Sequence, residues 1–150
     1  MNISLKLGTD NFLKNQLTSA DTLLKPLFDN SGDHLLIKEL TTSGDYRSLR
    51  GEFDSSNSLY LLVYIKLNNE QIAIFEDKVY YKFSEFVENN HEPTVFQNNE
   101  DHTQYLLINT FKTEADLNDW KDLIYKEIKD GLQGASKEPF GFYTKAYQVD

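Results

Sequence analysis

The chain has no cysteine among its 150 residues, and it holds one tryptophan, one methionine, three prolines and seven glycines. Without thiols it can form no disulfide, no thiolate zinc site, no iron–sulfur cluster and no cysteine nucleophile. Positive charge is also scarce: 15 Lys and Arg stand against 24 Asp and Glu, a formal net charge of −9. Nucleic-acid binding draws its affinity from Lys and Arg that neutralise phosphates, and anionic membrane surfaces select for the same residues. Neither is expected as a partner. Long apolar runs are missing too. The longest, Leu59 to Ile65, falls far short of the ~20 residues that cross a bilayer. Asp10 and Asp21 interrupt the apolar stretch that a secretory signal would need. The expectation is a cytoplasmic globular protein of about one domain, able to bury roughly 68–70% of its unfolded surface without staples.

What is present is unevenly spread. Residues 1–57 hold 6 basic and 8 acidic groups, and residues 58–150 hold 9 and 16. Between these parts Gly51 to Ser58 is polar and turn-rich, as a connector would be. The division read here is an N-terminal extension, 1–57, packed on a main domain, 58–150. In the main domain Leu59 to Leu67 is rich enough in β-branched and aromatic residues for a strand. Asn68 then offers a helix cap, with Gln71 completing a capping box. Ile72, Phe75, Val79, Phe83 and Phe86 follow at helical spacing, and Asn89 to Pro93 ends the run. Thr94 to Gln97 reads as a short strand, Asn98 to His102 as a polar turn, and Gln104 to Phe111 as a third strand. Thr113 caps a second helix whose apolar face is Leu117, Trp120, Ile124 and Ile128, with Gly131 and Gly134 marking its exit. Phe140 to Tyr147 closes the series as a fourth strand. The order strand–helix–strand–strand–helix–strand predicts an α+β, ferredoxin-like βαββαβ domain. In the extension, Ile3 to Leu7 alternates as a strand, Thr9 caps a short helix carrying Phe12 and Leu13, and Leu23 to Phe28 with Leu35 to Leu40 reads as a hairpin.

The strand faces carry a further constraint. Leu59, Leu61, Val63, Ile65 and Leu67 form one aliphatic face suited to lie under the helices, yet Tyr60, Leu62 and Tyr64 on the other face are apolar or aromatic as well. The strand at 104–111 repeats this, with Leu106 and Ile108 opposite Tyr105, Leu107 and Phe111. A sheet apolar on both faces needs two covers. The second is either the N-terminal extension or another subunit, and sheet-to-sheet dimerisation is the favoured expectation.

Motifs with built-in chemistry are few. There is no Gly-rich phosphate loop and no nucleophile elbow. His34, His91 and His102 show no metal-ligand spacing with one another, and His91-Glu92 and Glu100-Asp101-His102 read as solvated loop ends, so no metal is expected. Glu114, Asp116, Asp119 and Asp122 sit in the first turns of the second helix, where its dipole favours acids.

Two stretches resemble a known family. Leu7-Gly8-Thr9-Asp10-Asn11-Phe12-Leu13 is similar to a Gly-Thr-x-x-Phe-Leu opening, and Phe111 to Trp120 followed by Tyr125-Lys126-Glu127 is similar to a Trp-Glu-Thr-Glu-x-x-Phe-x-x-Trp…Tyr-Lys-Glu segment. Both belong to the antibiotic-biosynthesis-monooxygenase superfamily of dimeric ferredoxin-like α/β barrels. The subgroup with an N-terminal extension contains the HmoB-type haem monooxygenases, related to the IsdG type, and the TRAP-type proteins. The resemblance implies a ferredoxin-like dimeric α/β barrel with a β-rich N-terminal extension, and a homodimer as partner. It also implies haem chemistry carried by an Asn on the first strand, a Trp on the second helix and an iron-ligating His beyond it. Those positions hold Val63, Trp120 and Lys129 in this chain. Valine donates no hydrogen bond, and a protonated lysine has no lone pair for iron. No cofactor is therefore expected, with haem remaining only as what the family implies. The pocket candidates are Val63, Phe75, Phe111, Trp120 and Lys129. The favoured function is a non-haem-degrading, small-ligand-binding or regulatory, TRAP-like protein that takes a hydrophobic or planar ligand. The alternative is a haem-binding, haem-degrading or cofactor-independent monooxygenase.

Overall fold

In a computed structural model of the 150-residue chain, residues 1–29, 31–52, 56–79, 92–133 and 138–150 are described. The extension contributes β1 (Asn2–Gly8), α1 (Asp10–Lys14), β2 (Thr22–Pro26), β3 (His34–Leu40) and β4 (Tyr46–Arg50). Strand β5 (Leu59–Lys66), helix α2 (Asn69–Ile74), β6 (Thr94–Asn98), β7 (Gln104–Phe111), α3 (Glu114–Gln133) and β8 (Gly141–Val149) follow. The order β8-β5-β7-β6 within the sheet is the ferredoxin-like arrangement expected from the element order.

The caps fall where the side chains predict them. Asn68 Oδ1 accepts from the Gln71 backbone N–H at 2.8 Å, and Gln71 Oε1 accepts from the Asn68 N–H at 2.9 Å, which starts α2. The same Gln71 is buried, and its Nε2 donates to the Glu138 carbonyl at 2.8 Å, which ties the start of α2 to the loop before β8. Thr113 Oγ1 accepts from the Asp116 N–H and starts α3. Two features differ from the expectation. The α2 helix passes into a π-helical turn at Phe75–Val79, a widening that no periodicity of three and four announces. Gly131 lies inside α3, which continues to Gln133, because Leu132 still has a buried place under the helix. The Phe83, Phe86, Asn89, His91 and Gly134 readings lie outside the described residues.

The sheet closes on itself. All eight strands run in the antiparallel ring β1-β3-β2-β8-β5-β7-β6-β4, with β4 returning to β1 through Asn2↔Arg47 and Ile3↔Tyr46. Two cores result. Outside the ring, Leu59, Leu61, Val63 and Ile65 of β5 pack with Phe75 and with Leu117, Trp120, Ile124 and Ile128 of α3. Inside it, Tyr60 and Leu62 of β5 and Leu106 and Ile108 of β7 meet Ile3, Leu24, Leu35 and Ile37 of the extension. An eight-stranded barrel is just narrow enough for side chains to fill. The second cover of the two-faced sheet is therefore the chain's own β1 to β4. The favoured sheet-to-sheet contact between subunits is not what buries these residues. Strand β4 went unread in the sequence because Tyr46-Arg47-Ser48-Leu49-Arg50 has no apolar alternation. Among the described residues no helix is long and apolar enough to cross a membrane.

One ion pair pins the turn between α1 and β2. The Asp21 side chain is 1% exposed and accepts from Lys38 Nζ at 2.9 Å, from the Thr18 N–H at 3.1 Å and from the Glu39 N–H at 3.3 Å. Burial works to raise its carboxyl, but the Thr18 and Lys38 contacts together outweigh that and hold it below its ordinary 3.8. A carboxylate depressed in this way stabilises the fold fully above its unfolded value, and the contribution fades as pH falls through the lower folded value. Asp21→Asn should cost about 1–3 kcal/mol at pH 7. Urea unfolding at pH 7 and pH 3 should show the gap to the parent shrinking at the lower pH, and a gap independent of pH would refute the assignment. Ile37→Ala opens a cavity in the barrel interior and should cost about 2–5 kcal/mol. Because Ile37 packs against both halves of the ring, thermal melts of that variant should keep one transition, not lose the extension separately.

Candidate functional site

Four of the five pocket candidates come together. Val63 is fully buried in mid-β5, opposite Leu107 and Thr144 in the two flanking strands. Phe75 packs on the Tyr105 ring at 4.9 Å between centroids, and Phe111 on Trp120 at 5.8 Å. All belong to the core between the sheet and α3. Lys129 does not join them. It lies on the exposed side of α3, with its Nζ 6.0 Å from the centre of the Tyr125 ring. Of the histidines, His34 opens β3 and His102 lies in the turn before β7.

These residues do not fit haem ligation as the family resemblance describes it. The strand position holds an aliphatic side chain continuous with Leu61 and Ile65, and the helix position directs an ammonium to solvent. The polar groups nearest this core are engaged elsewhere. Tyr105 Oη donates to Glu76 Oε1 at 2.8 Å, and Gln97 Nε2 donates to Tyr105 Oη at 3.2 Å and to the His102 carbonyl at 2.9 Å. Arg47 in turn donates to Gln97 Oε1. Burial, and then the Glu76 carboxylate beside it, push the Tyr105 phenol well above its usual range, so it stays a donor. The chain Arg47–Gln97–Tyr105–Glu76 thus runs through the barrel wall as a satisfied strut.

Open space lies at one end of the barrel. Two clefts of about 480 and 490 Å3 meet there, sharing Tyr46 and Tyr64 as a common wall. One is lined also by Leu5, Leu7 and Leu35 and by Asn98 and Glu100, and the other adds Tyr105, Phe142 and Tyr143. Such volumes are those of small-ligand pockets. Register explains the convergence. Tyr64 is an even position near the end of β5 and pairs with Tyr143 of β8, and Tyr46 begins β4 beside Ile3 of β1. The approach of β4 to β1 requires a glycine, because a Cβ at Gly44 would lie 2.5 Å from the Ile3 carbonyl oxygen.

The phenols at this end share one electrostatic setting. Burial, and then the neighbouring hydroxyls of Tyr147, Tyr46 and Tyr143, push Tyr64 far above the usual phenol range. Burial raises Tyr46, against the hydrogen bond from Asn98, and pushes Tyr147 up to about 12. Tyr46 and Tyr64, which line the clefts, therefore remain neutral hydroxyls on aromatic faces, able to stack on a planar ligand and to hydrogen-bond its edge. Sequence reading missed this group because Tyr46, Tyr64 and Tyr143 stand on three different strands. The only signal was the unexplained aromatic character of the second face of β5.

No protein-family model and no curated protein matches the chain. Solved structures do. A heme-degrading enzyme from Listeria monocytogenes superposes with a TM-score of 0.75 over 99% of both chains, at 21% identity. A ferredoxin-fold protein related to antibiotic biosynthesis monooxygenases, from Listeria monocytogenes 4b F2365, gives 0.74 over 99% of this chain and 93% of that one, also at 21% identity. A major regulator of staphylococcal pathogenesis gives 0.72 over 99% and 98%, at 16% identity. At such identities the likeness is one of fold. Strand order, register and these neighbours agree that the chain has the ferredoxin-type fold of the antibiotic-biosynthesis-monooxygenase-like proteins, with β1 to β4 built into its barrel.

Proposed function

We propose that this is a non-haem-degrading, small-ligand-binding or regulatory protein whose ligand enters the tyrosine-lined end of the barrel. The observation that carries this reading is the pair of clefts meeting at Tyr46 and Tyr64, apolar in part and edged by neutral phenols. The ligand this chemistry favours is planar or hydrophobic, with a polar group at its edge. The fold likeness to a regulator of staphylococcal pathogenesis accords with a non-enzymatic role. Haem degradation is disfavoured by Val63 and Lys129 at the positions where the family resemblance calls for Asn and His. The haem-binding or oxygenase reading draws its support from the likeness to the heme-degrading enzyme along the whole chain. A second copy of the chain is also a proposed partner, through the outer face of α3, where Leu123 and Tyr125 are 41% and 43% exposed.

Hemin titration with an ascorbate chase under air separates the first two readings. We expect no saturable Soret shift and no haem loss; saturable binding followed by haem loss would reverse the preference. Titration with 2-naphthol, followed by backbone amide NMR, should shift Tyr46, Tyr64 and Tyr143 saturably. Tyr143→Ala, at a 54% exposed position that folding can spare, should weaken the affinity by roughly tenfold, ~1.4 kcal/mol. Shifts centred on Trp120 instead would move the site to the helix side of the sheet. Light scattering after gel filtration tests the second copy: twice the chain mass is expected, and the monomer mass of 17.4 kDa would remove it.

A further inference from the structure

We propose that Asp10, His34 and Asp150 form a site for a divalent transition cation such as Zn2+ or Mn2+, separate from the tyrosine-lined clefts. His34 Nε2 lies 3.5 Å from Asp150 Oδ2 and 3.9 Å from Asp10 Oδ1, and one ligand atom from each residue lies within 4.8 Å of the others. Metal–nitrogen and metal–oxygen bonds of about 2.0–2.1 Å place tetrahedral ligand atoms roughly 3.3 Å apart. Small side-chain rotations therefore bring these three atoms onto one ion. The donor set has one imidazole and two carboxylates. That mixture suits Zn2+ or Mn2+ and does not suit Ca2+, which takes oxygen ligands in larger number.

A second observation points the same way. The two oxygens of Asp10 are differently provided for. Oδ2 pairs with Lys14 Nζ at 2.8 Å, whereas Oδ1, which faces His34, is buried and has no hydrogen-bond donor. A buried acceptor without a donor is unfavourable by about 1–3 kcal/mol. A cation held between Asp10, His34 and Asp150 would give that oxygen a partner.

The backbone fixes all three residues independently. Asp10 opens α1, whose cap is Thr9 Oγ1 accepting from the Phe12 N–H. His34 pairs with Gly8 at the end of the β1–β3 ladder, and the Asp150 N–H donates to the Leu23 carbonyl at 3.1 Å. The side chains remain 20–33% exposed, which leaves an entry route and a fourth position for water. A bound ion would tie α1 and the segment after β8 to the start of β3.

The test uses the full chain after chelation. Zn2+ should raise Tm saturably, by roughly 5 °C at a hundredfold excess over Kd, and Ca2+ should not. His34→Ala and Asp150→Asn should abolish the rise. Mn2+ should broaden the amide resonances around residues 10, 34 and 150, a readout independent of any variant's folding. Absence of both the Tm rise and local broadening, or an unchanged response in His34→Ala, would overturn the site. Either result leaves the 2-naphthol titration at the tyrosine-lined end unaffected, so the two proposals stand or fall separately.

Discussion

Strand β5 is sealed on both sides, and the architecture follows from that. Its odd positions lie under α3 and its even positions face the inside of a barrel. Its neighbour β7 is divided in the same way, with Leu107 on one side and Leu106 and Ile108 on the other. A four-stranded ferredoxin-like sheet with two helices can cover only one such face. It would also leave the outer edges of β6 and β8 unpaired, an invitation to association. The extension answers both needs: β4 pairs β6, β2 pairs β8, and β1 and β3 join them. Burying Ile3, Leu24, Leu35 and Ile37 inside the ring supplies the driving force, at about 25 cal/mol per Å2 of apolar surface.

Closure also decides where chemistry can sit. Between the sheet and α3, Val63, Phe111 and Trp120 are buried in an apolar core. At the mouth of the barrel the requirement is different, because the strands end there and water arrives. Tyrosine suits that boundary: its ring packs against the barrel core, and its partly buried hydroxyl stays neutral at the wall of the clefts. Tyr46, Tyr64 and Tyr143 therefore meet the demands of the fold and at the same time wall the two clefts.

Local signals were legible where the physics is local. Asn68 with Gln71 and Thr113 with Asp116 marked the helix starts because capping needs only residues three apart. The alternation in β5 and β7 showed the need for two covers, but a period of two says nothing about which segment supplies the second. That depends on pairings such as Leu24↔Leu35 and Leu24↔Val149, which join distant parts of the chain. The same holds for Asp10, His34 and Asp150, invisible as a group until the β1–β3 and β2–β8 ladders are in register. Strand β4 had too little alternation to be seen, and a π turn follows no pattern at all. The resemblance in the opening Gly8-Thr9 and in the Trp120 segment reached the fold through motifs, where periodicity alone gave only the element order.

Fold and chemistry are also encoded with different redundancy. Many inward positions specify the barrel, and each accepts side chains of similar volume and polarity. A likeness in fold can then extend over 99% of the chain at 21% identity. A haem-degrading site of the type described above rests on three positions that tolerate almost no exchange. A valine at position 63 fits the aliphatic row and spares the fold a buried amide that would need its own partner. A lysine at position 129 keeps the helix exterior solvated. Both side chains meet the demands of the fold at their positions, whatever chemistry the chain performs. What a protein of this fold does must then be read from the groups it still brings together, which in this chain are phenols at one end of the barrel and two aspartates with a histidine beside β3.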